Sequence, residues 1–193
     1  MKTDIVLAGV GGQGILSIAA TIGMAALEND LYLKQAEVHG MSQRGGAVQS
    51  HMRISDKEIL SDLIPKGSAD IILSVEPMES LRYLPFLSPD GWLVTNVTPY
   101  KNIPDYPAED DIMKEIKKYK NHIAIDADKI AGEIGSKRSS NIVMLGAALP
   151  FFNISAESFE EGIRKIFSKK GDKVVDVNIQ ALRAGKEFAD RNK

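Results

Sequence analysis

The chain has 193 residues, about one domain's worth. Lys and Arg total 24 against 26 Asp and Glu, a formal net charge of −2, and there is no cysteine. These counts exclude a disulfide framework, a thiolate nucleophile, a cysteinyl zinc site and a cysteine-ligated iron–sulfur cluster, and they leave no basic surplus for general nucleic-acid binding.

Ile5 to Ala8 is continuously apolar, as in a strand buried on both faces. It is too short to cross a bilayer and is not laid out as a signal peptide, so a soluble, cytoplasmic protein without membrane contact is expected. Gly9 to Gly14 form a glycine-rich turn, Ile15 to Leu27 a buried helix, and Tyr32 to Val38 a second strand. Strand, tight turn, helix and strand make the start of a βαβ unit, with a right-handed crossover expected. Ala47 to Ile54 alternates, with Val48, Ser50, Met52 and Ile54 on one face. Asp70 to Val75 is a further strand. Glu76 to Leu84 is a short helix with Pro77 in its first turn, where proline is tolerated. Trp92 to Val97 is a strand, and the three prolines between Thr98 and Pro107 mark an irregular excursion. Asp111 to Tyr119 is a solvated helix, with Glu109-Asp110-Asp111 at its start and lysines along it. His122 to Asp126 is the last strand. Helices follow over Ala127 to Ile134, Asn141 to Leu149, Ser155 to Phe167 and Val174 to Asp190, the third capped by Ser155. The expectation is one α/β domain over residues 1–193, with a Rossmann-like, mostly parallel sheet, flanking helices and a helical C-terminal third.

Two segments carry chemistry. Gly9-Val10-Gly11-Gly12-Gln13-Gly14 matches G-x-G-x-x-G between a strand and a helix. In that pattern Gly9 permits the turn, Gly11 brings the backbone close to an anion, and Gly14 lets helix and strand pack closely. The helix start offers N–H groups to a phosphate. Glu37 is the candidate acid for a ribose, slightly late in spacing. A nucleotide or phosphate site and a purely structural tight turn are both open. The second segment runs from Glu37 to Gly46 and contains His39, Ser42, Gln43, Arg44, Gly45 and Gly46. It follows a strand, so it can face the crevice at the carboxyl edge of the sheet. The Arg44 guanidinium suits a phosphate or carboxylate. An exposed loop, or one that docks another subunit, is the alternative. Glu76 to Glu79 either reaches the crevice or merely starts a helix. Gly135 to Arg138 is a small basic loop, either anion-binding or solvated. Three dispersed histidines make no metal site, and His51 and His122 read as structural.

Together the two segments resemble the gamma-type domain of the 2-oxoacid:ferredoxin oxidoreductases. The wording E-V-H-G-M-x-Q-R-G-G is similar to the beta-subunit type in the indolepyruvate branch. Asn141 to Leu149 and Asn178 to Gly185 are similar to that family too, so the resemblance spans nearly the whole chain. It implies a complex that converts a 2-oxoacid, with an aryl pyruvate such as indolepyruvate leading, and coenzyme A to acyl-CoA, carbon dioxide and reduced ferredoxin. Thiamine diphosphate and iron–sulfur clusters serve that chemistry. This chain has neither a cysteine nor a thiamine diphosphate motif, since Gly171-Asp172 is followed by Lys173. The resemblance therefore implies a cofactor-free accessory subunit of a hetero-oligomer, inactive alone, with both cofactors in an alpha-subunit partner. No residue is assigned as catalytic. Gly9, Gly11 to Gly14, Glu37, His39 and Ser42 to Gly46 are the candidates for contact with substrate, coenzyme A or partner. Two readings from other classes remain: a self-contained NAD(P)-binding Rossmann protein with Glu37 on the ribose, and a stand-alone anion-binding module.

Overall fold

The structure is a computed structural model that describes residues 1–39, 45–101 and 103–193, with His39 described by its backbone only. Six strands form one sheet: β1 (Lys2–Val10), β2 (Tyr32–His39), β3 (Ala47–Ser55), β4 (Ala69–Ser74), β5 (Leu87–Asn96) and β6 (His122–Ile125). Their order is β2-β3-β1-β4-β5-β6. β1, β4, β5 and β6 pair in parallel, while β3 is antiparallel to both β1 and β2. Five strands thus share one direction and β3 alone opposes them, which bears out the mostly parallel sheet.

The expected βαβ unit differs in one respect. β1 and β2 do run the same way, joined by α1 (Ile15–Leu27), but β3 lies between them. The connection from β2 to β3 spans only residues 40–46, too short for a parallel crossover, which needs a dozen residues or more. The chain therefore doubles back and zips β3 into the gap.

The parallel strands show why their sequences are continuously apolar. Ile5, Leu7, Ile71, Leu73 and Val94 point into one core, while Val6, Ala8, Ile72 and Leu93 point into another. The first core is covered by α1, α4 (Ala127–Glu133), α5 (Ser140–Ala148), α6 (Ala156–Phe167) and α7 (Asp172–Asn192). The second is covered by α2 (Pro77–Arg82) and α3 (Glu109–Ile116). β3 places Val48, Met52 and Ile54 in the first core, as its alternation predicts. α6 has Ser155 as its N-cap, the hydroxyl accepting from the Ser158 N–H at 3.3 Å. α5 and α7 cross at a pair of glycines. A Cβ on Gly146 would lie 2.1 Å from the Leu182 carbonyl oxygen, and one on Gly185 would lie 2.0 Å from that of Val143. Among the described residues no helix is long and apolar enough to cross a membrane.

Candidate functional site

The chain leaves β1 toward β3 and β2 on one side and toward β4, β5 and β6 on the other. The strand order reverses between β1 and β4, and open α/β sheets bind ligands outside the carboxyl ends of strands at such a point. Gly9 to Gly14 bridge β1 and α1 there. Gly14 is the N-cap of α1 with φ 84°, and no side chain caps that helix. A Cβ on Gly14 would lie 2.5 Å from Asn141 Nδ2, so its close contact is with α5 rather than with the sheet. Contact with the sheet falls to Gly9, where a Cβ would lie 2.4 Å from Val75 Cγ2. Gly11 does not aim its amide at an anion. Its N–H donates to the Gly46 carbonyl at 2.8 Å, and its carbonyl accepts from the Gly45 N–H at 3.3 Å. The two glycine-rich segments are thereby joined at their roots. His39 (side chain), Ser42, Gln43 and Arg44 fall outside the described residues.

Gln13 closes the switch point. Its Oε1 accepts the Val10 N–H at 2.8 Å and its Nε2 donates to the Val75 carbonyl at 3.4 Å, so one amide spans β1 and β4. Asn96 donates to Asp128 Oδ2 at 2.8 Å and accepts the Ala127 N–H at 3.2 Å. Asn141 Nδ2 donates to the Gly14 carbonyl at 3.0 Å. These amides, with Thr98, Pro99, Tyr100, Asp128 and Met144, line a crevice of about 240 Å³.

Gln13, Ser140 and Asn141 also line a second, larger groove of about 630 Å³. It runs from the start of α1 past Ser136 to Ser139 and on to Phe167, Lys170, Val174 and Asn178. Lys137, Arg138 and Lys170 present their charges to it, and none of them makes an ion pair among the described residues. Lys170 Nζ lies 5.2 Å from the Phe167 ring centroid. The site is thus a basic groove with an apolar floor, leading into a crevice lined by amides and the Asp128 carboxylate. Of its cations, the sequence pointed to Lys137 and Arg138 through the Gly135 to Arg138 loop. Lys170 was missed, because only the packing of α7 on α5 carries it there.

Glu37 is not brought to the turn. It pairs with Ser50 of β3, and β3 separates its strand from β1. Two strand spacings put it about 10 Å away in the plane of the sheet. A dinucleotide fold needs its ribose acid on the strand next to β1. The strand order thus removes Glu37 as the ribose acid on which the self-contained NAD(P) reading rested.

Glu76, at the end of β4, is fully buried. Its Oε2 accepts the Glu79 N–H at 2.8 Å, and its Oε1 accepts the Tyr100 N–H at 3.3 Å and the Tyr106 hydroxyl. Burial and the neighbouring Glu76 carboxylate push the Tyr106 hydroxyl well above the usual tyrosine range. His51 is structural, as expected: its Nδ1 accepts the Ile64 N–H at 3.0 Å, and its ring meets Phe86 edge-on.

The profile of the pyruvate ferredoxin/flavodoxin oxidoreductase family matches residues 4–188. The chain belongs to that family. It is 39% identical over 196 aligned residues to indolepyruvate oxidoreductase subunit IorB of Pyrococcus horikoshii, covering 96% of this chain and 95% of that one. A pyruvate oxidoreductase subunit of Thermotoga maritima has the same fold, with TM-score 0.72, 25% identity and 96% of each chain covered. So does part of a 2-oxoglutarate:ferredoxin oxidoreductase of Magnetococcus marinus, solved with 2-oxoglutarate, coenzyme A and succinyl-CoA bound; the TM-score is 0.77 at 24% identity, covering 98% of this chain and 31% of that one. This family member therefore has the fold and the oxidoreductase kinship that its two glycine-rich segments implied.

Proposed function

We propose that the chain is the accessory subunit of a 2-oxoacid:ferredoxin oxidoreductase acting on an aryl 2-oxoacid, with indolepyruvate as the leading substrate. The reaction is oxidative decarboxylation with coenzyme A, giving acyl-CoA, carbon dioxide and reduced ferredoxin. The observation that carries this reading is the 39% identity, over nearly the full length of both chains, to an indolepyruvate oxidoreductase subunit.

The chain's own residues do not fit the cofactors of such a reaction. It has no cysteine for a cluster, and among the described residues no three His, Asp or Glu side chains come together to hold a metal. Gly171-Asp172 continues into Lys173 rather than a thiamine diphosphate motif. Thiamine diphosphate and the iron–sulfur clusters are accordingly assigned to a large alpha subunit, which passes electrons to ferredoxin.

What this chain supplies is binding. The basic groove suits the phosphates of coenzyme A, with Lys137, Arg138, Lys170 and the uncapped start of α1 as the cationic side. The crevice lined by Gln13, Asn96, Asp128 and Asn141 offers hydrogen-bond donors and acceptors to its neutral amide arm. We assign the segment carrying His39, Ser42, Gln43 and Arg44, whose flanking Gly45 and Gly46 are hydrogen-bonded to Gly11, to contact with coenzyme A or the partner subunit.

Co-expression with the alpha subunit tests the reading. Only the pair is expected to reduce ferredoxin or viologen with indolepyruvate and coenzyme A. Equal activity from the alpha subunit alone overturns it.

A further inference from the structure

Glu76 is a buried carboxylate without a countercharge among the described residues, because its neighbour Arg82 is committed to Glu79 at 2.9 Å. Such a group is held only by the hydrogen bonds it accepts. Its two oxygens divide the work. Oε2 caps α2, and Oε1 holds Tyr100 and Tyr106. A helix cap alone needs one acceptor on a short side chain, which Asp, Asn, Ser or Thr provides. The second oxygen therefore serves something else.

What it holds is the outer wall of the crevice. Thr98, Pro99 and Tyr100 form that wall. Among the described residues, the Val97 N–H to the Ile125 carbonyl is the last backbone–backbone bond before Ala108. Beyond it, the wall is fastened by Glu76 and by a long 3.4 Å bond from the Thr98 hydroxyl to Asp126. On the opposite side Gln13 and Asn141 are tied to backbone carbonyls. One side of the crevice is thus set by the sheet and helices, and the other, among the described residues, by Glu76 and the long Thr98–Asp126 bond.

We propose that Glu76 is a positioning residue: through Tyr100 it sets the width of the crevice and so the fit of the neutral arm of coenzyme A. This rests on the placement of coenzyme A given above. Glu76 is not among the residues that line the crevice, so its loss should weaken binding without changing the reaction once the ligand is bound.

The test uses the complex with the alpha subunit. In Glu76→Ala the KM for coenzyme A should rise about 10-fold, while kcat and the KM for the 2-oxoacid stay close to wild type. Tyr106→Phe, which keeps the Glu76 bond to the Glu79 N–H, should raise the same KM by about 3-fold. Arg82→Ala loosens α2 without touching the wall, and it should leave that KM unchanged. Hydrogen exchange at the Tyr100 amide should be faster in Glu76→Ala and slowed by coenzyme A in the wild type. An unchanged KM for coenzyme A in folded Glu76→Ala and Tyr106→Phe complexes overturns the positioning role. So does an equal rise in Arg82→Ala. If coenzyme A gives no protection at Tyr100 or Asn141 even in the wild-type complex, the placement of coenzyme A itself fails, whatever the variants do.

Discussion

Glycines serve opposite ends in two regions of this molecule. Where α5 crosses α7, Gly146 and Gly185 exist to be absent of side chain: a Cβ on either would drive into a backbone carbonyl at 2.0–2.1 Å. At the carboxyl edge of the sheet, Gly12 and Gly45 have positive φ and nothing within 4 Å of where a Cβ would stand. The first pair is about packing, the second about backbone conformation beside open space. Both regions contribute to the family resemblance, so likeness of sequence alone does not separate a core contact from a site. Space around the Cβ does.

The contrast can be broken most sharply at the crossing. Gly185→Ala should destabilise the chain by about 3 kcal/mol or more, since a backbone carbonyl cannot step aside as a side chain can. Urea denaturation measures it, and a loss below 1 kcal/mol would mean that α5 and α7 slide apart freely. Next in size is the groove. Replacing Lys137 and Arg138 together by Ala should weaken coenzyme A binding to the complex about 10-fold at low salt, with the difference shrinking as salt rises. Calorimetric titration at two salt concentrations checks it; a deficit independent of salt would point to lost structure instead. Gly12→Ala is the counterpart to Gly185→Ala. With φ at 102° and free space around it, it should cost about 1 kcal/mol from backbone strain alone.

The smallest expected effect lies on β3. Burial, and then the Arg53 cation, hold the His51 imidazole below its usual value of 6.5. The unfolded chain therefore takes up a proton below about pH 6.5 that the folded chain refuses. By linkage, stability is complete above that pH and declines as pH falls from there toward the lower folded value. The protonated ring also cannot accept the Ile64 N–H. Denaturation midpoints across pH 5–8 should show this slope in the wild type, and a shallower one in His51→Asn, whose Oδ1 still offers an acceptor.

Much of the fold was legible in the sequence. β1, β4 and β5 are buried on both faces and so read as unbroken apolar runs, and the alternation of β3 marked its single apolar face. Strand limits moved by one to three residues, except in β5, which begins at Leu87, where a register shift lets Leu87 pair with Ala69. The site was legible in part. Gly9 to Gly14 and Gly45-Gly46 do come together, but the Gly11 amide is taken by the Gly46 carbonyl beside β3, and Gly14 packs against Asn141 of α5. Glu37 was misread because β3 separates its strand from β1. Lys170 and the second oxygen of Glu76 carried no sequence signal, since both matter only through residues far along the chain.

What the sequence determined by itself is local and compositional. Apolar run length made strands, glycines made turns, and the absence of cysteine left the chain without a thiolate ligand. Tertiary structure decided who neighbours whom. It put β3 between β1 and β2, taking Glu37 away from the turn, and it folded α7 back on α5, bringing Lys170 to the groove. The physical reason is that pairing and packing are chosen among whole elements. A strand's hydrogen-bonding edges and a helix's close-packing stripe accept any partner of suitable shape, and only the completed core selects one.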